Sequence, residues 1–587
     1  MNEPRLFLNV QSSVTGRRWI GPDAGVERAA QQIEQITTLP GIIARLLAER
    51  GVEANEADSY LSPKLRDLMP DPSALADMDA AADRLANAVR RNQRIAIFGD
   101  YDVDGGASVA LLTDWLRQLG RGATPYIPDR IDEGYGPNVP ALTQLGSGHD
   151  LVICVDCGTL SHEPIAAARK AGADVIVVDH HLPGPDLPAA IVVNPNRADD
   201  KAGLGHLCAA GVVFMLLVAT NRLLRDTTEV PDLMAMLDLV AVATVADVAP
   251  MIGLNRAFVR SGLSVLAQRR RPGLVALTDV SGLNAPPTSR DLGFALGPRI
   301  NAGGRIGAAD LGARLLSATD PDEAAALAEK LDRLNRERRD IEAAVQDAAI
   351  QQIEARGEPG PLVWAAGNGW HPGVVGIVAS RLKEKFNRPA VVIGLDGAEG
   401  KGSGRSVNGI DLGTAIATLT AQQVLLKGGG HKMAAGLTVA ADQVKPAMQA
   451  LSDLLARQGA DQTGPQDLKV LGGLAPAGAT PELVEQIEMA GPFGPSNAAP
   501  RIAFGNVVPG GVRIVGNGHC QARFGGAGGG SLASITFGAV DSGLAAFLGN
   551  AAARKQPVHV AGRLEIDDWG GRRKAKLRVE DIAEISD

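Results

Sequence analysis

A chain of 587 residues, 45% hydrophobic and 21% charged, is too long for one hydrophobic core and predicts about three or four globular domains. Its 58 basic and 66 acidic residues leave a net charge of −8, which excludes a generally cationic polyanion binder but not a local basic groove. Aromatic residues are only 3% of the chain, so any recognition of bases by stacking rests on few rings.

In chain order, residues 1–78 read as short helices and turns, with SYLSPKLRDLMPDPSAL as a proline-broken connector. From residue 79 an α/β alternation begins. DAAADRLANAVRRN is helical in pattern, RIAIFGD is a strand, and GASVALLTDWLRQLG is a helix. TPYIPDR, LVICVD and VIVVDHH are further strands, with the helix SHEPIAAARKAG between the last two. The strand runs are apolar enough to be buried on both faces, the rhythm of a parallel sheet. Residues 321–357 carry no Gly or Pro between Pro321 and Gly357, which predicts a charged helix about 50 Å long. A helix so long and polar suits a connection between domains.

A second α/β pattern follows, with PLVWAAG, VVGIVASRLKEKF and PAVVIGL, then a glycine-rich stretch ending in LLKGGGHKMAAG. Beyond residue 461 the helix PELVEQIEMAG precedes short strands: IAFGNVV, VRIVG, LASITFG, PVHVAGRLEI and KLRVEDI. Short strands with glycine-rich turns predict a small β-barrel. The cysteines Cys154, Cys157, Cys208 and Cys520 are too sparse for a disulfide scaffold. Cys154 and Cys157 have CxxC spacing but no second pair, so Cys154 reads as a buried strand residue. The N-terminus lacks the charged-then-apolar order of a signal peptide, and AAGVVFMLLVAT is too short to span a bilayer. The expected location is the cytoplasm.

GDYDVDGGAS (99–108) sets Asp100, Asp102 and Asp104 at alternate positions after an apolar run. Like charges on one side of a strand end need compensation. A calcium loop is a poor match, since the glycine position and the twelfth-position Glu are wrong. Acids recur at Asp156 in VDCG, at Asp179 before His180 and His181, and at Asp247 in LVAVATVADVAP. Any one of these reads equally well as an N-cap or turn residue. Four such acid motifs at strand ends would converge on one crevice of an open parallel sheet. Carboxylates with imidazole suit Mn²⁺ or Mg²⁺, His favouring Mn²⁺. Two such ions can activate water and clamp a phosphoryl group.

DYDVDG, VDCG, VDHH and TVADV, in that order, resemble the four motifs of the DHH phosphoesterase superfamily. IPDRIDEGYGPN, GPRINAGGRIG, WHPGVVGIVASRL, KGSGRS and GGHKMAAG resemble its branch of bacterial single-strand-specific exonucleases, from about residue 40 to the C-terminus. The resemblance implies Asp102, Asp104, Asp156, His180, His181 and Asp247 as catalytic ligands of two Mn²⁺ or Mg²⁺ ions. Asp100 and Asp179 are implied as supporting residues, Asp179 orienting the histidines. It implies a parallel-sheet DHH catalytic domain (79–315) after an N-terminal helical segment (1–78). A connecting helix (316–358), a DHH-associated α/β domain (359–460) and an oligonucleotide-binding-fold (OB-fold) β-barrel (461–587) follow. The implied activity is 5′→3′ degradation of single-stranded DNA to mononucleotides in repair and recombination.

Beside this, Arg130, Arg299, Asn301 and Arg305 are candidate phosphate contacts. Glycines in KGSGRS and KGGGHK would let backbone amides approach phosphate, with Ser403, Arg405 and His431 adding donors. GGRRKAKLR reads as a basic hairpin, with Arg572, Arg573 and Lys574 along a backbone track and Trp569 for stacking. The glycine pair of DVDGGAS would clear room for a phosphate. Two features depart from the branch. Relatives carry a hydroxyl residue soon after the first glycine, for which Ser108 is the candidate substitute here, and residues 521–538 are unusually glycine-rich. A hydrolase of short oligonucleotides or cyclic dinucleotides is the competing enzyme reading; such relatives end after the DHH-associated domain. A catalytically inactive DNA-binding relative would have lost acids that are all present here. The expected partners are single-stranded DNA, a single-strand-binding protein and a helicase, with the chain a monomer and no membrane involved.

Overall fold

A computed structural model describes residues 5–129, 133, 134, 136–357, 360–462, 467–526, 528–568 and 572–585. The chain divides into two compact units. One comprises Pro70–Ala249 and Phe258–Gly464; the other comprises Met1–Met69, Pro250–Ala257 and Pro465–Asp587. Among the described residues no helix is long and apolar enough to cross a membrane.

The first unit opens with a parallel sheet of β1 (Ile95–Gly99), β2 (Thr124–Tyr126), β3 (Leu151–Val155), β4 (Asp174–Val178) and β5 (Ile191–Val193). Its order is β2-β1-β3-β4-β5. Every residue of β1 and β3 is buried, which explains runs without polar alternation. After β1 the chain adds β2 on one flank and then crosses back to lay β3 on the other. That reversal opens a crevice beyond the carboxyl ends of β1 and β3. Helix α1 (Val103–Gln118) leaves this crevice, and α2 (Ala209–Leu224) and α3 (Leu237–Ala246) pack against it.

The apolar run before Asp247 is α3, not a strand. All residues from Leu237 to Thr244 are buried, so the run is apolar on every side. Such a run has no periodicity to separate helix from strand.

Helix α4 (Gly297–Ile306) and the long α5 (Pro321–Glu354) follow. The Asp320 side chain caps α5 by accepting from the Glu323 amide at 2.8 Å. This helix is less a bare connector than its charge suggested. Ala324, Leu327, Ala328, Leu331, Val345, Ala349 and Ile353 form a buried stripe along it. Its first half packs on Pro272–Val280 and α4, and its second half on the next sheet.

That sheet has the order β9-β10-β8-β7-β6. Its strands are β6 (Val363–Asn368), β7 (Ala390–Asp396), β8 (Glu399–Arg405), β9 (Lys427–His431) and β10 (Ala434–Ala440). Helices α6 (Pro372–Phe386) and α7 (Leu412–Ala421) complete it. KGSGRS and KGGGHK are therefore mostly strand, and β8 is paired on both sides. Packing explains their glycines: a Cβ on Gly404 would lie 2.7 Å from Leu412, and one on Gly428 2.6 Å from Ile416.

In the second unit β11 (Ile502–Val515), β12 (His519–Gly526), β13 (Ser531–Thr536), β14 (Val558–Asp567) and β15 (Lys574–Glu584) form a barrel. The β11–β14 pairing closes it. IAFGNVV and VRIVG are one strand, β11, bent by register shifts at Phe504/Val507 and Gly510/Arg513 so that it pairs with both β14 and β12. The glycine-rich stretch supplies the β12–β13 hairpin. Residues before 70 are not a separate body: helices Ala24–Ile36 and Gly41–Glu49 share the barrel's core. Trp19 Nε1 and Thr15 Oγ1 each donate at 2.9 Å to the buried Asp581.

Candidate metal centre and phosphate cleft

The carboxyl ends of β1, β3 and β4 and the C-terminus of α3 deliver one cluster. Asp100 follows β1, Asp156 follows β3, Asp179, His180 and His181 follow β4, and Asp247 caps α3. Asp102 is the N-cap of α1, its Oδ1 accepting from the amides of Asp104 (2.9 Å) and Gly105 (3.2 Å). Asp104 is buried, and its two oxygens accept from the Ala209 and Ala210 amides at 2.7 and 2.8 Å. The first turn of α2 thereby fixes that carboxylate. A Cβ on Gly105 would collide with the backbone of Asp100. Gly105 thus lets α1 start against the end of β1, while Gly106 faces Ala313, so packing accounts for both glycines without a phosphate.

Three overlapping groups have ligand atoms within 4.8 Å of one another: Asp156–His180–His181, Asp104–His180–Asp247 and Asp100–Asp102–Asp156. His180 Nε2 stands 3.3 Å from Asp156 Oδ1 and 3.7 Å from Asp104 Oδ2, while its Nδ1 is 4.0 Å from Asp247 Oδ2. Asp156 adopts φ +58°, a left-handed conformation that Asp tolerates better than most residues.

Asp179 lies behind the cluster. It accepts from the amides of Thr159 and His180 and from His181 Nδ1 at 2.7 Å, which fixes the tautomer of that ring. Asn194 donates to Thr159 Oγ1 and to the His181 carbonyl, and Asn196 to the His180 carbonyl. These asparagines were missed in the sequence, although VVNPN offered the signal of polar residues directly after an apolar run.

Burial, reinforced by Asp104 and Asp102, pushes the Asp156 carboxyl well above its ordinary value. Burial also raises Asp104, against the lowering influence of His180. Asp247 is raised to about 8 by burial and by Asp104 and Asp102, and it sits at the negative end of α3. Burial would lower His181 and raise Asp179. Their mutual hydrogen bond and charge outweigh it, taking His181 up to about 9 and Asp179 down. The buried Asp156 Oδ1 accepts no hydrogen bond among the described residues. Crowded carboxylates with an orphaned oxygen and two imidazoles fit divalent cations such as Mn²⁺ or Mg²⁺.

A pH signature follows. Acids with raised folded-state values hold protons that the unfolded chain, near 4 for Asp, has lost. Their contribution to metal-free stability therefore falls as pH rises from about 5 to about 8. Cation binding displaces those protons and tightens with pH. The rise in melting temperature on adding Mn²⁺ should be larger at about pH 8 than at about pH 5; equal increments would contradict the assignment.

Beside the cluster lies a cleft of about 450 Å³ lined by Tyr101, Asp102, Asp247, Asn301, Arg305, Ser403 and Arg405, with Gly373, Gly376 and Ser380 of α6. Arg405 is lowered by burial; its Nη1 donates to Ser403 Oγ (3.0 Å) and the Gly404 carbonyl (2.8 Å). Arg305 donates to the Gly373 carbonyl at 3.1 Å. The α6 glycines were not singled out as site residues. A Cβ on Gly376 would lie 3.1 Å from Ser403 Oγ and 3.2 Å from Arg405 Nη2.

Arg299 does not join them: its Nε donates to Asp332 at 2.9 Å and its Nη1 to the Ala295 carbonyl. GPRINAGGRI is a helix, in which Asn301 and Arg305 share a face at i, i+4 and Arg299 lies on the other side. His431 and Ser108 do not line the cleft, Ser108 being buried within α1. On the barrel hairpin, Arg573 is held by Glu485 and Asp568, while Arg572 and Lys574 are exposed. Arg130 and Trp569 lie outside the described residues.

Family models match along the chain: the "DHH family, N-terminal domain" over residues 94–244, the "DHHA1 domain" over 359–457 and the "RecJ OB domain" over 472–581. The sheet, its carboxylate–imidazole cluster and the α/β domain after α5 define the DHH class. The single-stranded-DNA-specific exonuclease RecJ of Escherichia coli K12 is 36% identical over 93% of this chain and 96% of the relative. That of Bacillus subtilis 168 is 33% identical over 96% of this chain and 71% of the relative. The crystal structure of RecJ in complex with Mn²⁺ from Thermus thermophilus superposes with a TM-score of 0.79. It is 28% identical and covers 97% of this chain and 80% of that one. The chain belongs to the RecJ family.

Proposed function

We infer that this chain is a single-stranded-DNA-specific exonuclease that hydrolyses phosphodiesters from the 5′ end to mononucleotides with two Mn²⁺ or Mg²⁺ ions. The observation that carries this is the junction of the three overlapping ligand groups with an arginine-lined cleft. Asp102, Asp104, Asp156, His180, His181 and Asp247 are the proposed ligands, with Asp100 and Asp179 in support. Bound there, the ions supply Lewis acidity and a water of lowered pKa. The residues of the chain do the positioning. Asn301, Arg305, Ser403 and Arg405 orient and neutralise the phosphate, Asp104 is held by the start of α2, and Asp179 holds the His181 ring. The barrel, with Arg572 and Lys574, contributes backbone contacts to the single strand.

Working boundaries at 79–315, 316–358, 359–460 and 461–587 fit the family's domain pattern, whereas a separate segment 1–78 is not kept, since residues before 70 share the barrel's core. A cytoplasmic monomer acting with a single-strand-binding protein and a helicase in repair and recombination fits the reading. The test is digestion, with Mn²⁺, of single strands a few dozen nucleotides long, labelled at either end. Label at the 5′ end should leave first as mononucleotide, while blunt duplex resists. Earlier release of the 3′ label would overturn the polarity. Faster turnover of a dinucleotide than of the long strand would favour the small-substrate hydrolase.

A further inference from the structure

In a chain with few aromatic residues, Phe294 is 81% exposed, more than any other large apolar side chain among the described residues. It stands in a π-helical turn, Leu292–Leu296, that runs directly into α4. π-turns are rare and are frequently found at functional sites. Gly297 lets it sit against α3: a Cβ there would lie 2.9 Å from the Leu292 carbonyl oxygen and 3.3 Å from the Ala246 Cβ, while Gly293 lies in ordinary contact with Val245. The turn thus rests on the last turn of α3, whose Ala246 and the following Asp247 line the cleft. The next residue, Val248, is 65% exposed and has φ +60°. A β-branched residue is a genuine outlier there, and such strain gathers at ligand-handling segments.

Asn301 and Arg305 share one face of α4 at i, i+4, and the π-turn that carries Phe294 leads directly into that helix. The cleft is polar and cationic; the π-turn that rests on the end of α3 and leads into α4 offers an exposed aromatic ring. An unpaired polynucleotide presents the matching alternation of anionic phosphate and a base with a free π-face. A duplex has already spent that face on its own stacking.

We propose that Phe294 is a stacking platform for an unpaired base of single-stranded DNA whose neighbouring phosphate lies in the Asn301–Arg305 cleft. This rests on the nuclease reading above and adds a device by which the same site selects single strands.

The test is steady-state cleavage, with Mn²⁺, of a single-stranded oligonucleotide and of the same strand with abasic residues at its 5′ end. Phe294→Ala should raise KM for the normal strand about five- to a hundredfold, with the larger part of the change in KM and not kcat. Phe294→Trp should retain the wild-type KM, whereas Phe294→Leu, apolar without a π-face, should not. On the abasic strand the wild type should already be weak and Phe294→Ala should add little. Equal KM for wild type and Phe294→Ala on the normal strand would overturn the platform alone, as would full rescue by Leu, the result expected of an apolar protein-docking residue. No cleavage by the unsubstituted protein would overturn the nuclease reading and the platform with it.

Discussion

Asp156→Asn is expected to cut Mn²⁺-dependent hydrolysis of single-stranded DNA about 10³-fold or more, the scale of losing a central catalytic group. Asp156 belongs to two of the three ligand groups, and its orphaned Oδ1 is 3.3 Å from His180 Nε2. The amide nearly preserves shape, and Asn accepts the left-handed backbone as readily as Asp. The fold should therefore survive, and the metal-free protein should gain stability, because one buried acid with a raised value has been removed. The Mn²⁺-induced rise in melting temperature should shrink together with activity. Asp179→Asn acts one step further out, through the hydrogen bond to His181, and should cost about 10–100-fold. Near-normal turnover of Asp156→Asn, or a metal-free protein destabilised by it, would contradict the site.

How much of this could be read from residue order depended on whether the deciding contacts were local. β1, β3 and β4 were legible because strands buried on both faces are continuous apolar runs, and the acids after them mark the open end of the sheet. The run before Asp247 carried the same signal, yet it is a helix wrapped by other helices, and nothing in its composition encodes those neighbours. Arg299 is grouped with Asn301 and Arg305 when GPRINAGGR is read as one glycine-rich motif; as a helix, its period alone moves Arg299 to Asp332 and keeps Asn301 with Arg305. The glycines of KGSGRS and DVDGGAS likewise looked like phosphate loops. Their need arises from groups that meet them only in the fold: Leu412 for Gly404 and the Asp100 backbone for Gly105. The orienting role of Asp179 comes from the family resemblance; the contact it needs, the hydrogen bond to His181 two positions on, is local.

Arg271→Ala is expected to destabilise the protein by about 3–5 kcal/mol, the cost of breaking a buried ion pair by removing one partner. The Arg271 side chain is only 11% exposed. Its Nε donates to Asp238 at 2.8 Å and its Nη2 to the same carboxylate at 3.3 Å, while Nη1 reaches Asp114 and the Leu316 carbonyl. Asp238 is buried in the first turn of α3 and Asp114 lies on α1. These are the two helices whose other ends carry Asp247 and the Asp102–Asp104 pair. Burial would lower the guanidinium, but Asp238 and Asp114 outweigh it and hold it charged. Without Arg271 the buried Asp238 loses the only cation it is paired with among the described residues, and Asp114 keeps only Arg117. Arg117 also reaches Asp114 at 2.8 Å but is itself 45% exposed, so it cannot replace the lost fork. Lys at 271 should recover only part of the loss, because one ammonium cannot bind both carboxylates in the planar geometry of the guanidinium. Urea unfolding of the single and double variants measures this. Asp238→Asn added to Arg271→Ala should restore part of the stability, because it removes the buried charge left unpaired; strictly additive losses would mean that the pair does not couple α1 to α3.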